Sequence, residues 1–173
     1  YNQGYRSVVL APGNYGEDFA TNVLGIPPHR IVNMSNFVGH VLKEVQRIGF
    51  TRVLMVGHMG KFVKVAGGIF STHSKDSDAR MEIIMANLAL LGAPVELLEN
   101  VDQCITTDAA GTLIEEYHYE EVYQVLVDKM KFRSERLLRN RKPEVSIDVV
   151  TFGTEAGYLA STQTLEEIAE EWT

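Results

Sequence analysis

The stretch Val53-Leu54-Met55-Val56 is the strongest constraint in this chain. Its four apolar residues show no alternation, which suits a strand buried on both faces at the centre of a parallel sheet. Parallel strands need crossover helices, and the neighbouring sequence supplies them. Ser7-Val8-Val9-Leu10-Ala11 reads as another buried strand, stopped by Pro12-Gly13, and residues 30–34 as a third. A helical pattern fills residues 17–24 and is closed by Gly25 and Pro27-Pro28. A second fills residues 36–48, with Phe37, Val41, Val45 and Ile48 on one face and His40, Lys43, Glu44 and Arg47 on the other. Ser35 is placed to cap it and Gly49 to close it.

Further helices are expected from Lys61 and over residues 78–91, with Val95-Glu96-Leu97-Leu98 as a fourth strand. Beyond residue 100 the chain is helix-rich, over residues 107–117 and 120–141. A late strand covers residues 146–152, and a last helix opens at Thr164 with Glu167 completing a capping box. The predicted class is α/β: a mostly parallel open sheet covered by helices, with Rossmann-like layering. No repeat, low-complexity segment or linker interrupts it, so residues 1–173 read as a single domain.

Hydrophobic residues are 45% and charged residues 23% of the chain, the mixture of a folded globular protein. No apolar run is long enough to span a membrane. The one cysteine, Cys104, excludes a disulfide framework and any multi-cysteine zinc site, so a reducing cytoplasm is expected. A net charge of −7 argues against nucleic acid as a partner. That figure conceals a split. Residues 1–75 hold eight bases and three acids, a local excess of +5, while the remainder carries −12. The basic segment also holds four of the five histidines and ten of the 14 glycines.

In a parallel sheet the ligand crevice lies beyond the carboxyl ends of the strands. This collects the loop from Pro12 to Gly16, the pair Ser35-Asn36, and Gly57-His58-Met59-Gly60-Lys61, each entering a helix whose free N–H groups favour electron-rich atoms. Gly13-Asn14-Tyr15-Gly16 lacks the G-x-G-x-x-G fingerprint, and the Gly57 loop lacks the P-loop spacing and its Ser or Thr. The first also reads as a tight turn, and His58 in the second as a hydrogen-bonded structural residue. Lys61 and Lys64 stand one helical turn apart, as a solvated face would have them. Gly67-Gly68 marks an early helix end or a close packing contact. Thr72-His73-Ser74 with Asp76, Asp78 and Arg80 is dense in polar groups, Ser74 or Ser77 being placed to cap the helix that follows. No G-x-S-x-G elbow is present, and His58, His73, Cys104 and His118 have no metal-ligand spacing, so no metal site is expected.

Several of these segments form an ordered set of motifs. They are Gly13-Asn14-Tyr15-Gly16-Glu17-Asp18-Phe19-Ala20, Ser35-Asn36-Phe37-Val38-Gly39-His40, Val56-Gly57-His58-Met59-Gly60-Lys61-Phe62-Val63-Lys64, and Gly68-Ile69-Phe70-Ser71-Thr72-His73-Ser74 with Asp78-Ala79-Arg80-Met81-Glu82. Together, over about half the chain, they resemble the CbiD family of methyltransferases, which act on C-1 of cobalt-precorrin-5B. The likeness weakens after residue 100, although Gly153-Thr154-Glu155 also matches. The resemblance implies methyl transfer from S-adenosylmethionine, giving cobalt-precorrin-6A in anaerobic cobalamin biosynthesis, with cobalt entering only as part of the substrate. The family's Thr-Thr-Gly-Thr-Cys-Ala-rich N-terminal domain has no counterpart here, and the chain starts at Tyr1. The expectation is therefore a C-terminal portion that partners its own N-terminal domain, with a homo-oligomer left open.

From loop position, Gly13, Asn14, Gly16, Ser35 and Asn36 are expected to cradle the methyl donor. Lys61, Lys64 and Arg80 are expected to hold the polycarboxylate tetrapyrrole, since basic groups pair with its carboxylates. His58 or His73 would handle a proton. A phosphate- or nucleotide-binding α/β enzyme, or a non-catalytic interaction module pairing the +5 and −12 segments with a neighbour, remain as alternatives.

Overall fold

The computed structural model describes all 173 residues. The strands are β1 (Ser7–Ala11), β2 (Ile31–Asn33), β3 (Arg52–His58), β4 (Ser146–Gly153) and β5 (Gly157–Ser161). They form one sheet in the order β2-β1-β3-β4-β5. The first four are parallel, and β5 returns antiparallel to β4. The helices are α1 (Gly13–Asn22), α2 (Val38–Ile48), α3 (Met59–Ala66), α4 (Arg80–Leu90), α5 (Val95–Asp102), α6 (Thr107–Glu116), α7 (Val122–Leu137) and α8 (Leu165–Trp172). The α/β class and its mostly parallel sheet are as the sequence predicts.

The strand order dictates the layers. The crossover from β1 to β2 and that from β2 to β3 travel in opposite directions along the sheet, so right-handed connections put α1 and α2 on opposite faces. Alternate strand residues then feed two cores. Val9, Leu54, Val56, Val150 and Phe152 pack with Phe19, Ala20, Ile168 and Trp172 of α1 and α8. Val8, Leu10, Val53, Met55, Ile147 and Val149 face the larger layer, which includes α2, α3 and α7. At Gly16 a Cβ would lie 2.8 Å from the Val56 carbonyl oxygen, so glycine there lets α1 rest directly on β3.

Several local expectations need correction. Val95-Glu96-Leu97-Leu98 begins α5 rather than a strand, because Leu97 and Val101, four residues apart, are both buried on one helical face. Ser35 does not cap α2: its φ is +49°, its N–H bonds to Asn33 Oδ1, and the helix starts at Val38 with Phe37 in the cap position. The buried face of α2 is Val38, Leu42, Val45 and Gln46, while Phe37 and Ile48 are exposed. The buried Gln46 amide nitrogen donates to the Leu138 and Pro143 carbonyls at 3.0 and 2.9 Å, while its Oε1 is buried without a partner. Neither Ser74 nor Ser77 caps α4, where Ala79 holds that position. The β5 hairpin is an addition to the predicted elements. The Thr164–Glu167 capping box forms as read.

One polar network ties the sheet to α8. Arg52 pairs with Asp148 at 2.6 Å and with Glu171 at 2.5 Å, and Thr162 Oγ1 donates to Asp148 at 2.5 Å. Burial alone would push the Asp148 carboxyl up, but Thr162, Arg52 and Lys131 together hold it below the usual carboxylate range. The Arg52 hydrogen bond likewise lowers Glu171. Both carboxyls thus bind protons less tightly folded than unfolded, and their stabilisation is present above the unfolded value of about 4 and lost as pH falls through the folded values. Urea unfolding at stepped pH should show stability dropping below about pH 4. Asp148→Asn should make that acid limb shallower; an unchanged slope would remove Asp148 from it.

Candidate functional site

The crevice predicted at the strand ends exists as a cleft of about 900 Å³ at the carboxyl ends of β3 and β4. Its lining brings together Asn36, His58, Lys61, Lys64, His73 and Arg80 from the sequence-based candidates. Tyr15, Phe19, Val23 and Phe152 supply apolar surface, with Phe19 and Phe152 stacked at 4.2 Å between ring centroids. Gly13, Asn14, Gly16 and Ser35 lie outside the lining. Asn33 organises that corner instead, its Oδ1 accepting from the N–H of Gly13 at 3.1 Å and of Ser35 at 2.8 Å. Gly13 stands beside the cleft only through Lys61, whose Nζ lies 3.8 Å from where a Cβ would be.

The cations differ in availability. Lys61 is half-buried in the cleft wall and makes no ion pair or side-chain hydrogen bond. Arg80 is braced by Asp78 at 3.1 Å and the Ile105 carbonyl at 3.0 Å. Lys64 is not the solvated residue its spacing suggests. It is 2% exposed, and its ammonium donates to the Thr72 and Ser77 carbonyls at 3.1 and 2.7 Å. Burial, with nearby Arg80, lowers its pKa. It is a strut beneath the loop carrying His73. The same loop is docked on the β2–α2 connection, where Thr72 Oγ1 donates to Asn36 Oδ1 at 3.3 Å and the Thr72 N–H to the Asn36 carbonyl at 3.1 Å.

Both histidines have one ring nitrogen fixed by the backbone. His58 ends β3 and caps α3, its Nδ1 accepting from the Gly60 N–H at 2.9 Å. A backbone N–H can only donate, so the ring proton is on Nε2, which donates to Thr154 Oγ1 at 3.0 Å. Thr154 in turn donates to Asp108 Oδ2 at 2.7 Å, and its N–H to Oδ1 at 3.0 Å. Burial would raise the Asp108 carboxyl, but these two bonds and His58 hold it below its ordinary range. His73 Nδ1 accepts from the Lys75 N–H at 3.1 Å. Each neutral ring therefore keeps its proton on Nε2 and has no free lone pair, the His58 N–H being engaged by Thr154.

Sequence reasoning missed Asp108 and Thr154. The strand-end rule applied to the late strand β4, and not only to the first three, points at Thr154. Nothing local marks Asp108, which lies 50 residues from His58 and meets it only through α6. No group of three His, Cys, Asp or Glu side chains converges as a metal site, and no helix is long and apolar enough to cross a membrane.

The model described as CbiD, C-terminal domain, matches residues 71–163. Over 171 residues the chain is 59% identical to the cobalt-precorrin-5B C(1)-methyltransferase of Listeria welshimeri, covering 99% of this chain and 46% of that protein. It is 42% identical to the protein of the same name from Clostridioides difficile, covering 97% and 41%, and 44% identical to that of Citrobacter koseri, covering 97% and 44%. The chain spans about half the length of the curated relatives it matches. No solved structure matches it. A model that covers more than half of the residues, together with relatives of this similarity along nearly the whole chain, places the protein in the CbiD family, as its C-terminal domain.

Proposed function

We propose that this chain provides the tetrapyrrole-binding part of an S-adenosylmethionine-dependent methyltransferase acting on C-1 of cobalt-precorrin-5B, yielding cobalt-precorrin-6A on the anaerobic route to cobalamin. The observation that carries this reading is the 59% identity to a protein of that name over almost the whole chain. The cleft supports it: an otherwise acidic chain concentrates Lys61, Arg80 and the N–H of His73 around one opening with an apolar floor. A macrocycle rimmed with carboxylates needs that combination, a flat apolar surface for the ring and donors at its edge.

The methyl donor supplies an electrophilic carbon, whose bond to sulfur breaks with its electron pair left on sulfur as the acceptor carbon bonds to it. The protein's share is alignment and exclusion of water. Lys61 and Arg80 bind substrate carboxylates, and Asn36 lines the same space. His58 is a positioning residue that fixes Thr154 and the β4–β5 turn. His73 donates from a loop already tied down by Lys64.

Titration with cobyrinic acid, a polycarboxylate cobalt corrinoid, tests the cleft by absorbance or calorimetry. Binding should weaken as salt rises, and Lys61→Ala should weaken it about tenfold, the loss of one charge-assisted contact of about 1.4 kcal/mol. Absence of binding, or binding indifferent to both Lys61→Ala and Arg80→Ala, overturns this use of the cleft. Incubation with S-adenosylmethionine and cobalt-precorrin-5B, with the other half of the relatives' length supplied, should add one methyl group by mass spectrometry.

A further inference from the structure

A second cavity, about 700 Å³, lies against the first, and Thr107, Asp108, Gly153 and Thr154 line both. The two cavities differ in charge balance: Lys61, Lys64 and Arg80 line the first against Asp18 and Asp108. Asp108, Glu115, Glu120 and Glu155 line the second, with no Lys, Arg or His. None of Glu115, Glu120 and Glu155 has a cation within ion-pair distance. An acidic wall alone says little, since solvent screens it.

Tyr123 adds an independent observation. It is 7% exposed, its side chain lines this cavity, and its hydroxyl has no hydrogen-bond partner. A Cβ on Gly111 would meet that hydroxyl at 3.0 Å, so the glycine keeps the space before it open. The ring is buried while the hydroxyl itself opens onto the cavity without a protein partner, which places it to bond a ligand there. Burial, with Asp108, Glu120 and Glu115 around it, pushes its pKa up to about 12, so it remains a neutral donor and acceptor. The carboxylates are too dispersed to chelate one metal ion, and Met59, Ala156 and Leu159 give the cavity apolar surface. An extended organic cation fits such a lining.

We infer that this acidic cavity is the seat of the sulfonium methyl donor, held through Tyr123 and the carboxylates of Glu115 and Glu120. The inference rests on the methyltransferase reading above and moves the donor away from the α1 loop that its position in the sequence suggests. The two ligands are then sorted by charge: the polyacid lies among Lys61 and Arg80, the cation among the acids, and they meet where Asp108 and Thr154 line both cavities.

Calorimetry with sinefungin, which carries an amine in place of the sulfonium, and with S-adenosylhomocysteine, which is uncharged at sulfur, tests this. Sinefungin should bind about tenfold more tightly than S-adenosylhomocysteine. Tyr123→Phe and Glu120→Gln should each weaken sinefungin about tenfold, while Lys61→Ala should leave it unchanged. Glu120 is exposed, so Glu120→Gln remains informative should the phenylalanine variant fold poorly. Sinefungin binding that ignores both cavity variants, or that falls with Lys61→Ala, overturns the assignment, as does absence of heat with either ligand. Corrinoid titration run in parallel separates the two readings. Sinefungin bound through Tyr123 without any corrinoid binding would sink the cleft assignment and keep this one; corrinoid bound through Lys61 with sinefungin indifferent to Tyr123 would do the reverse.

Discussion

Trp172→Ala should cost about 3–5 kcal/mol of folding stability, the range for emptying a fully buried aromatic site. Trp172 is 0% exposed and closes the smaller core with Phe19, Ile26, Leu54 and Phe152. Its loss would remove more than packing. The Arg30 and Arg52 guanidinium groups lie 5.1 and 5.5 Å from the ring centroid, and the indole N–H donates to Gln163 Oε1 at 3.1 Å. Arg52 is also the residue that pairs with Asp148 and Glu171. Without the indole, α8 keeps Ile168 as its only other buried anchor. Trp172→Phe should recover the greater part of the loss by refilling the space. Urea unfolding followed by far-ultraviolet circular dichroism measures both, because Trp172 is the chain's one tryptophan and fluorescence would vanish with it. A cost below about 1 kcal/mol, typical of surface substitutions, would mean that the ring is not a core element.

Lys64→Met should cost on the order of 2–3 kcal/mol, as two hydrogen bonds from a charged donor disappear and the Thr72 and Ser77 carbonyls lose their partner. Methionine fills much the same volume, so the loss isolates the ammonium from the cavity effect of an alanine. Amide exchange should accelerate across residues 70–79 more than across α3, and corrinoid binding should weaken because the loop carrying His73 loses its support. The alkaline limb gives a second readout. The Lys64 pKa is lowered by burial, so the folded state binds this proton less tightly than the unfolded chain does. Wild-type stability relative to the methionine variant therefore rises as pH climbs through the folded value toward the unfolded one of about 10.4. Equal protection of the loop in both proteins would refute the strut.

These two residues also show what a sequence can and cannot disclose. The Val53–Val56 run and the strand-end rule placed the cleft correctly, because both depend on local pattern and on the chirality of crossovers. The inward orientation of Lys64 does not follow from pattern, since a lysine one turn from Lys61 belongs by composition to a wet face. Only the return of the 70–79 loop over α3 covers it, with the Thr72 and Ser77 carbonyls closing on the ammonium. Val95-Glu96-Leu97-Leu98 went astray for a related reason: four residues with three apolar members fit either period, and the deciding residue, Val101, lies outside that window. His58 was legible by position, but its partners are 50 and 96 residues away, so its role as a cap with a fixed tautomer could not be read from the loop alone. By pattern Tyr123 is one residue of a charged helix, and only the open space before its hydroxyl sets it apart.

The stacked pair of Phe19 and Phe152 forms the floor of the cleft and at the same time belongs to the core on the α1 and α8 side, whereas the loop over Lys64 is anchored in the opposite layer. A molecule resting on that floor and held by that loop staples the two layers across the end of the sheet. Its binding energy then enters the cooperative unfolding of the whole chain instead of stiffening one loop. At a hundredfold excess over its dissociation constant that is about 2.7 kcal/mol, or roughly 5–11 °C for a chain of this size. Heat resistance becomes a direct gauge of occupancy, and a library of corrinoid fragments can be ranked with a melting curve alone.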